Sequence, residues 1–336
     1  MKALVTGANG HLGSALTELL VKSGHTVRAS IRGAGDAKKA APLKALGVEV
    51  VEADVMDPEA LARACDGQEI VFHLAAVFRM VVDDPQKDVI DPAVKGAEFA
   101  LRGAKKAGVR RVVLTSSNVA IGNKSVGDRP LDERDWNDGA VNHYARAKTL
   151  AERKAWEVSK ELGQDLVCIN PTAILGPGFM RHTPITLNVA NMFLGKVPMA
   201  PQFVSTYVDN RDVARAHLMA AEQPGANGRY LVCGDEAITM IELARRIKKL
   251  FPESRPPSSE LPRFMNFSLS WFDWFMHKTK GVPRQLSADM IEEYEDPTVR
   301  FSNARARKEL GWVPRPFDES LKDTIDWIVA QKPVSY

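Results

Sequence analysis

The stretch Thr6-Gly7-Ala8-Asn9-Gly10-His11-Leu12-Gly13 follows a short apolar run at 3–6 and opens a helical pattern near 12–23. Its glycines are spaced G-x-x-G-x-x-G rather than G-x-G-x-x-G, yet the physics is shared. The first glycine permits a tight turn, the second lets the backbone approach a phosphate, and the third lets the helix pack close to the sheet. A helix N-terminus at that point offers unpaired N–H groups and a positive dipole end to an anion. Gly7, Asn9, Gly10, His11, Leu12 and Gly13 are therefore candidate contacts for the pyrophosphate of a dinucleotide.

Outward from this turn, short strand-like runs alternate with helical patterns. The strand candidates are 3–6, 26–31, 48–53, 70–74, 111–115 and 166–170, with helical patterns near 12–23, 37–46, 58–65, 94–108 and 143–162. Asp57-Pro58-Glu59 opens one of these with a capping residue and a proline at the first helical position. The alternation predicts an α/β fold, a doubly wound parallel sheet covered by helices on both faces. The second half is less regular. A helix near 210–222 leads to a strand at 229–233, and Thr239-Met240-Ile241-Glu242 reads as a capping box. A last helical pattern lies near 317–330. The expected division is a dinucleotide-binding domain over 1–175, to which 203–234 returns, and a smaller C-terminal substrate-binding lobe over 176–336.

The end of the second strand speaks to the cofactor. A carboxylate there would grip a ribose 2′-hydroxyl and repel a 2′-phosphate. Here the strand ends Ser30-Ile31-Arg32-Gly33, with no acid until Asp36. Arg32 can offer a planar fork to a phosphate, and Lys39 a second charge, so NADP is expected rather than NAD. Asp54-Val55 closes the third strand, where the Asp54 carboxylate could accept from an adenine amino group or simply end the strand.

Tyr144-Ala145-Arg146-Ala147-Lys148 sets a phenol and an ammonium at i and i+4 on one helix face. A nearby ammonium favours the phenolate, so Lys148 is expected to lower the Tyr144 pKa and make it a usable acid near neutrality. Thr115-Ser116-Ser117 ends the fifth strand, at the edge where a doubly wound sheet faces its ligand. A serine hydroxyl there can hydrogen-bond a substrate carbonyl oxygen.

Glycine turn, strand-end serine and Tyr-x-x-x-Lys, in that order, resemble the extended short-chain dehydrogenase/reductase family, and within it most the dihydroflavonol and cinnamoyl-CoA reductases. Val27-Arg28-Ala29-Ser30-Ile31-Arg32 is similar to the segment that carries the 2′-phosphate-binding arginine. Phe72-His73-Leu74-Ala75-Ala76 is similar to the strand passing under the cofactor, and Asn170-Pro171-Thr172 to the segment beside the nicotinamide. Residues 303–312, then Pro314, resemble the family's C-terminal pattern. The resemblance implies a Rossmann fold and NADPH as cofactor, with Leu74, Ala75, Ala76, Thr115, Pro171 and Thr172 among its contacts. It implies Ser117 as catalytic serine, with Ser116 the alternative, Tyr144 as proton donor and Lys148 as holder of the nicotinamide ribose. It also implies a small-molecule carbonyl or alcohol substrate and a homodimer through the helices near 94–108 and 143–162. Ser117, Asn118, His143, Phe78 and Met180 are the candidate substrate contacts.

Two departures from the family pattern stand out, the first bearing on a water relay and the second on substrate class. Asp91-Pro92-Ala93-Val94-Lys95-Gly96 lacks the asparagine that many members carry before the fifth strand. Ser205 stands where sugar-nucleotide members usually have an arginine, which counts against that substrate class. A sugar-nucleotide epimerase or dehydratase and a hydroxysteroid dehydrogenase remain the rivals on this scaffold. A non-catalytic NADP-binding regulator is disfavoured because Tyr144 and Lys148 are both present.

Composition sets the outer limits. The chain has 336 residues and a formal charge of +3, too small to point to nucleic acid or a membrane. Cys65, Cys168 and Cys233 have no metal-ligand or C-x-x-C spacing, which suits a reducing compartment. His73, His143 and His217 lack metal spacing too, and structural roles are expected, with His143 near substrate as an alternative. A strand at 3–6 leaves no room for a signal peptide, and no apolar run approaches the ~18 residues of a membrane span. A cytoplasmic protein is expected. Within 264–277, helical spacing would put Asn266, Ser270, Asp273 and His277 on one face among aromatic neighbours, reading as a helix lining a substrate cavity or, alternatively, a membrane- or partner-binding surface.

Overall fold

The computed structural model describes residues 1–75, 82, 84–262, 271, 275, 278–279, 288–294 and 296–332. The first half alternates as expected: β1 (Lys2–Thr6), α1 (His11–Lys22), β2 (Thr26–Ile31), α2 (Ala37–Ala45), β3 (Glu49–Glu52), α3 (Pro58–Cys65), β4 (Ile70–His73), α4 (Asp91–Lys106), β5 (Arg111–Thr115), α5 (His143–Leu162) and β6 (Asp165–Pro171). These strands and β9 (Gly228–Val232) form one parallel sheet in the order β3-β2-β1-β4-β5-β6-β9. A π-helical turn at Gln86–Ile90 precedes α4.

The strands are apolar on both faces because helices cover both. Leu16 and Leu20 of α1 and Leu43 of α2 pack with Val5, Ala29 and Phe72 on one side. On the other side Leu61, Ala100, Leu101 and Ala155 from α3, α4 and α5 pack with Leu4, Val71 and Val112. α7 (Asn210–Glu222) joins the first layer, where Trp312 is fully buried and donates its indole N–H to the Asp212 carbonyl at 2.7 Å. Asp57 caps α3, accepting from Glu59 and Ala60 N–H at 3.0 Å each.

A second, three-stranded sheet stands apart, in the order β10-β8-β7, from β7 (Ala173–Leu175), β8 (Val204–Asp209) and β10 (Ala237–Thr239). Two of its strands, β7 and β10, are three residues each, too short for period 2 to show. α6 (Pro184–Phe193), α8 (Met240–Leu250) and α10 (Phe317–Gln331) contribute to its core through residues such as Val189, Leu243 and Leu321, and α9 (Ala288–Tyr294) precedes α10 in the chain. Within the stretch 203–234, β8 thus lies in the small sheet, whereas α7 and β9 lie with the large one. The capping box read at Thr239 is half formed. Thr239 Oγ1 accepts from the Glu242 N–H at 3.2 Å, but the Glu242 carboxylate instead takes Arg246 at 3.1 Å. A guanidinium one turn on is a stronger partner than a backbone N–H. Among the described residues no helix is long and apolar enough to cross a membrane.

Candidate active site

The large sheet reverses strand order between β1 and β4, and the crevice of a doubly wound sheet opens at that point beyond the strands' carboxyl ends. Thr6 ties the two ends together. Its hydroxyl pairs with His73 Nδ1 at 3.0 Å and accepts from the Leu74 and Ala75 N–H groups at 3.1 Å each. Burial, with help from nearby Lys148, lowers the His73 pKa to about 4, so the ring is neutral. His217 is likewise buried and neutral, bridging Thr115 Oγ1 at 2.7 Å and the Val213 carbonyl at 2.8 Å. Both histidines have the structural roles expected of them.

The glycine turn fits a dinucleotide. Gly7 takes φ +68°, and a Cβ there would lie 3.0 Å from Ala75 Cα. A Cβ on Gly13 would lie 2.1 Å from the Gly7 carbonyl oxygen, so only glycine lets α1 start so close to the turn. Gly10, the N-cap of α1, supplies no side-chain cap, which leaves N–H groups of the first turn to meet a phosphate. At the crevice's other end Thr172 Oγ1 is buried with no partner among the described residues. Asn9 is exposed at the turn, and Leu12 is buried. The His11 side chain is engaged within the fold. Its Nε2 meets the Gly176 carbonyl at 2.9 Å and its ring packs edge-on against Phe179, while its buried Nδ1 has no partner among the described residues. Gly13→Ala is expected to destabilise the fold by about 1–3 kcal/mol and weaken dinucleotide binding at least about tenfold, checked by thermal unfolding and fluorescence titration.

At the end of β2, Arg32 is exposed and makes no hydrogen bond or ion pair among the described residues. Lys39 reaches back over Gly33, 3.1 Å from where its Cβ would be. Asp54 accepts from the Met56 N–H at 2.9 Å, so it shapes its own turn. Val55 packs on Gly96 of α4.

α5 begins where the chemistry needs it. Asn142 caps it, accepting from the Tyr144 N–H at 2.9 Å, and this fixes Tyr144 in the first turn. The Ser117 hydroxyl, which donates to Asn118 Oδ1 at 3.4 Å, stands beside the Tyr144 phenol and favours its ionised form. Lys148 Nζ donates to the Thr115 carbonyl at 3.3 Å. A small cavity between β4, β5, α4 and α5 is lined by His73, Ala75, Thr115, Tyr144, Lys148 and Glu152. The two strand-end serines part ways here. Ser116 lines this cavity and donates to Glu152 Oε2 at 2.5 Å, whereas Ser117 donates to Asn118 Oδ1 at 3.4 Å beside the Tyr144 phenol. The expectation that Lys148 lowers the Tyr144 pKa is not met. Burial raises the phenol to about 12, offset in part by the nearby Ser117 hydroxyl, and burial lowers Lys148 to about 8. Desolvation is the largest cause at both groups.

A family model described as the NAD dependent epimerase/dehydratase family matches residues 3–234. The chain belongs to this family. Cinnamoyl-CoA reductase 2 of Arabidopsis thaliana is 36% identical over 333 residues, 96% of each chain. An anthocyanidin reductase of Vitis vinifera is 31% identical over 280 residues, 76% of this chain and 82% of that one. Among solved structures, the yeast methylglyoxal/isovaleraldehyde reductase Gre2 in complex with NADPH superposes with a TM-score of 0.79 at 24% identity, covering 99% of this chain and all of that one.

Within this family member, residues that sequence reading passed over complete the site. Glu152 lies one turn beyond Lys148 and is buried. It accepts from Ser116, from Asn170 Nδ2 at 2.8 Å and from Arg229 Nε at 2.6 Å. The signal was there in the spacing, since Tyr144, Lys148 and Glu152 follow one another at i, i+4 and i+8. Arg229 had no such signal, because β9 brings it in from far along the chain. Glu293 of α9 accepts from Asn123, Asn137 and the Val141 and Asn142 N–H groups, and so ties the C-terminal region to the loop before Tyr144. Of the candidate substrate contacts, Asn118 and His143 adjoin Ser117 and Tyr144, and Met180 is 65% exposed. Ala76 and Phe78 lie outside the described residues, as do Asn266, Ser270, Asp273 and His277. Trp271 and Phe275, which are described, stack with ring centroids 6.0 Å apart and are exposed.

Proposed function

We propose that the protein is an NADPH-dependent carbonyl reductase that also runs the reverse alcohol oxidation. The observation that carries this reading is the cavity on which Tyr144 and Lys148 meet the end of β5 at Thr115 and Ser116, with the Ser117 hydroxyl beside the phenol. A phenol raised to about 12 keeps its proton at neutral pH, so Tyr144 is charged as an acid for reduction. When bound, NADPH supplies the hydride. Ser117 orients the substrate carbonyl oxygen by hydrogen bond, and Tyr144 Oη passes its proton to that oxygen as negative charge builds on it. The Lys148 ammonium, anchored on the Thr115 carbonyl, stabilises the phenolate that results and holds the nicotinamide ribose. The names of the curated relatives, cinnamoyl-CoA and anthocyanidin reductases, support carbonyl reduction, and Ser205 speaks against a sugar nucleotide.

The cofactor half of the reading rests on Arg32 and Lys39 for the 2′-phosphate, the glycine turn for the pyrophosphate, Asp54 and Val55 for adenine, and Leu74, Ala75, Pro171 and Thr172 around the nicotinamide. The working form is a cytoplasmic homodimer joined through α4 and α5. Exposed Leu150 on α5 and the three free, buried thiols support that reading. Sedimentation of the purified protein checks the dimer.

NADPH oxidation followed by absorbance against aldehydes, ketones, dihydroflavonols and cinnamoyl-CoA tests the whole reading. NADPH is expected to be consumed in preference to NADH. Arg32→Ala should raise the Kd for NADPH about 10- to 100-fold, the worth of a lost charge-assisted hydrogen bond, and leave NADH unchanged. Equal loss for both cofactors, or no loss, would remove Arg32 from the 2′-phosphate site.

A further inference from the structure

We propose that Glu52 is a cofactor-selectivity residue, whose carboxylate holds the backbone N–H groups of the β2–α2 turn in competition with the cofactor's 2′-phosphate. The inference rests on the NADPH reading above. No acid ends β2, which is why a 2′-phosphate is expected there, but the neighbouring strand brings one in. β3 runs parallel to β2 with Glu52 in register with Ile31, the last residue of β2. Val50, two residues earlier and on the same side, packs on the core. Glu52 is the next residue on that side and extends past the end of the sheet.

Its carboxylate is bidentate on the turn. Oε1 accepts from the Gly33 N–H at 2.8 Å and Oε2 from the Ala34 N–H at 2.5 Å. Gly33 has φ +74°, the left-handed conformation that lets successive N–H groups converge on one anion. Arg32 precedes this pair of donors, and the Lys39 ammonium hangs over Gly33. Two converging N–H groups with the Lys39 ammonium beside them make an anion cradle; Glu52 is the anion on the N–H groups, and Asp36 lies 4.0 Å from the same ammonium. The same N–H groups hold the Glu52 pKa below the usual carboxylate range, with Lys39 adding to the effect, so it is charged throughout the neutral range.

Two consequences follow from charge. A 2′-phosphate brought to Arg32 and Lys39 meets a fixed carboxylate of like sign, which weakens NADPH relative to what the two cations could hold. A ribose 2′-hydroxyl meets an acceptor instead, which is the role an acid at the end of β2 has in NAD enzymes. Glu52 therefore narrows the preference for NADPH without abolishing it. The side chain is exposed on an edge strand, so removing it leaves the core untouched.

The test is calorimetric titration of the full chain with 2′,5′-ADP, 5′-AMP, NADP and NAD, none of which requires turnover. Glu52→Gln and Glu52→Ala are expected to tighten 2′,5′-ADP and NADP about three- to tenfold, as befits one exposed like-charge contact. Neither should tighten 5′-AMP or NAD. Two variants are needed because the amide of glutamine would face one N–H group with its own donor. If both variants weaken all four ligands alike, Glu52 is a tie that shapes the turn and the inference is overturned. It is also overturned if 2′,5′-ADP binding is unchanged while the wild type still prefers it to 5′-AMP. A wild type that binds 2′,5′-ADP no tighter than 5′-AMP overturns the NADPH reading itself, and the inference with it.

Discussion

Tyr144→Phe is expected to lower kcat for carbonyl reduction by about 10²–10⁴-fold while the Kd for NADPH stays the same. The substitution removes one oxygen and keeps the ring, so the packing of α5 against β5 is preserved. What is lost is the proton that must reach the substrate oxygen as the hydride arrives. Water could replace it only if it entered the small cavity that Tyr144, Lys148 and His73 line. His73 cannot substitute, since it is held neutral and its Nδ1 is engaged with Thr6. Single-turnover oxidation of NADPH separates the two terms, because binding is read before chemistry. A parallel rise in Kd would mean that the phenol serves the cofactor rather than the carbonyl. The pH profile gives a second reading of the same group. Burial lowers the Lys148 pKa, so its ammonium is present below about 8 and is lost as pH rises through that value. Wild-type kcat/KM should therefore fall on the alkaline side of about 8, where the phenolate formed by proton transfer loses its counter-charge.

Most of the large sheet was legible because both of its signals are local. Buried parallel strands are continuous apolar runs, and their helices carry a 3.6-residue period, so α5 and α7 match their expected spans of 143–162 and 210–222. The cofactor turn was legible because glycine is the one residue the Gly7–Gly13 contact admits. The small sheet was not, since β7 and β10 are three residues each and acquire their identity only by pairing with β8. The preference for Ser117 over Ser116 rests on the family resemblance alone. They are chain neighbours on a strand end and so point to opposite sides, and which side holds Tyr144 depends on how α5 crosses β5. Glu52 was passed over for a similar reason. An acid at the end of β3 looks like a solvated strand end until the parallel register sets it beside the β2 turn.

Glu152→Ala should cost about 3–5 kcal/mol of stability, the largest single loss expected from a side chain in the site that touches neither substrate nor cofactor. Glu152 has no exposed side-chain surface, and Arg229, its partner, has 7%. Alanine would leave the guanidinium charged and buried, with only the Glu133, Asp135 and Ala120 carbonyls and the face of Trp136 around it. It would also strip the acceptor from Ser116 Oγ and Asn170 Nδ2. The measure is the midpoint of urea unfolding at constant slope. Replacing both members of the pair, as Glu152→Gln with Arg229→Met, should recover much of the loss, because the uncompensated charge is then gone. Stability alone would not link Glu152 to the chemistry, but Lys148 does. The Glu152 carboxylate is the group that favours the Lys148 ammonium against burial. Without it the ammonium is lost at lower pH, so in Glu152→Gln the alkaline limb of kcat/KM should move acidward from about 8. A limb that stays in place while stability falls would confine Glu152 to holding β9 and α5 together.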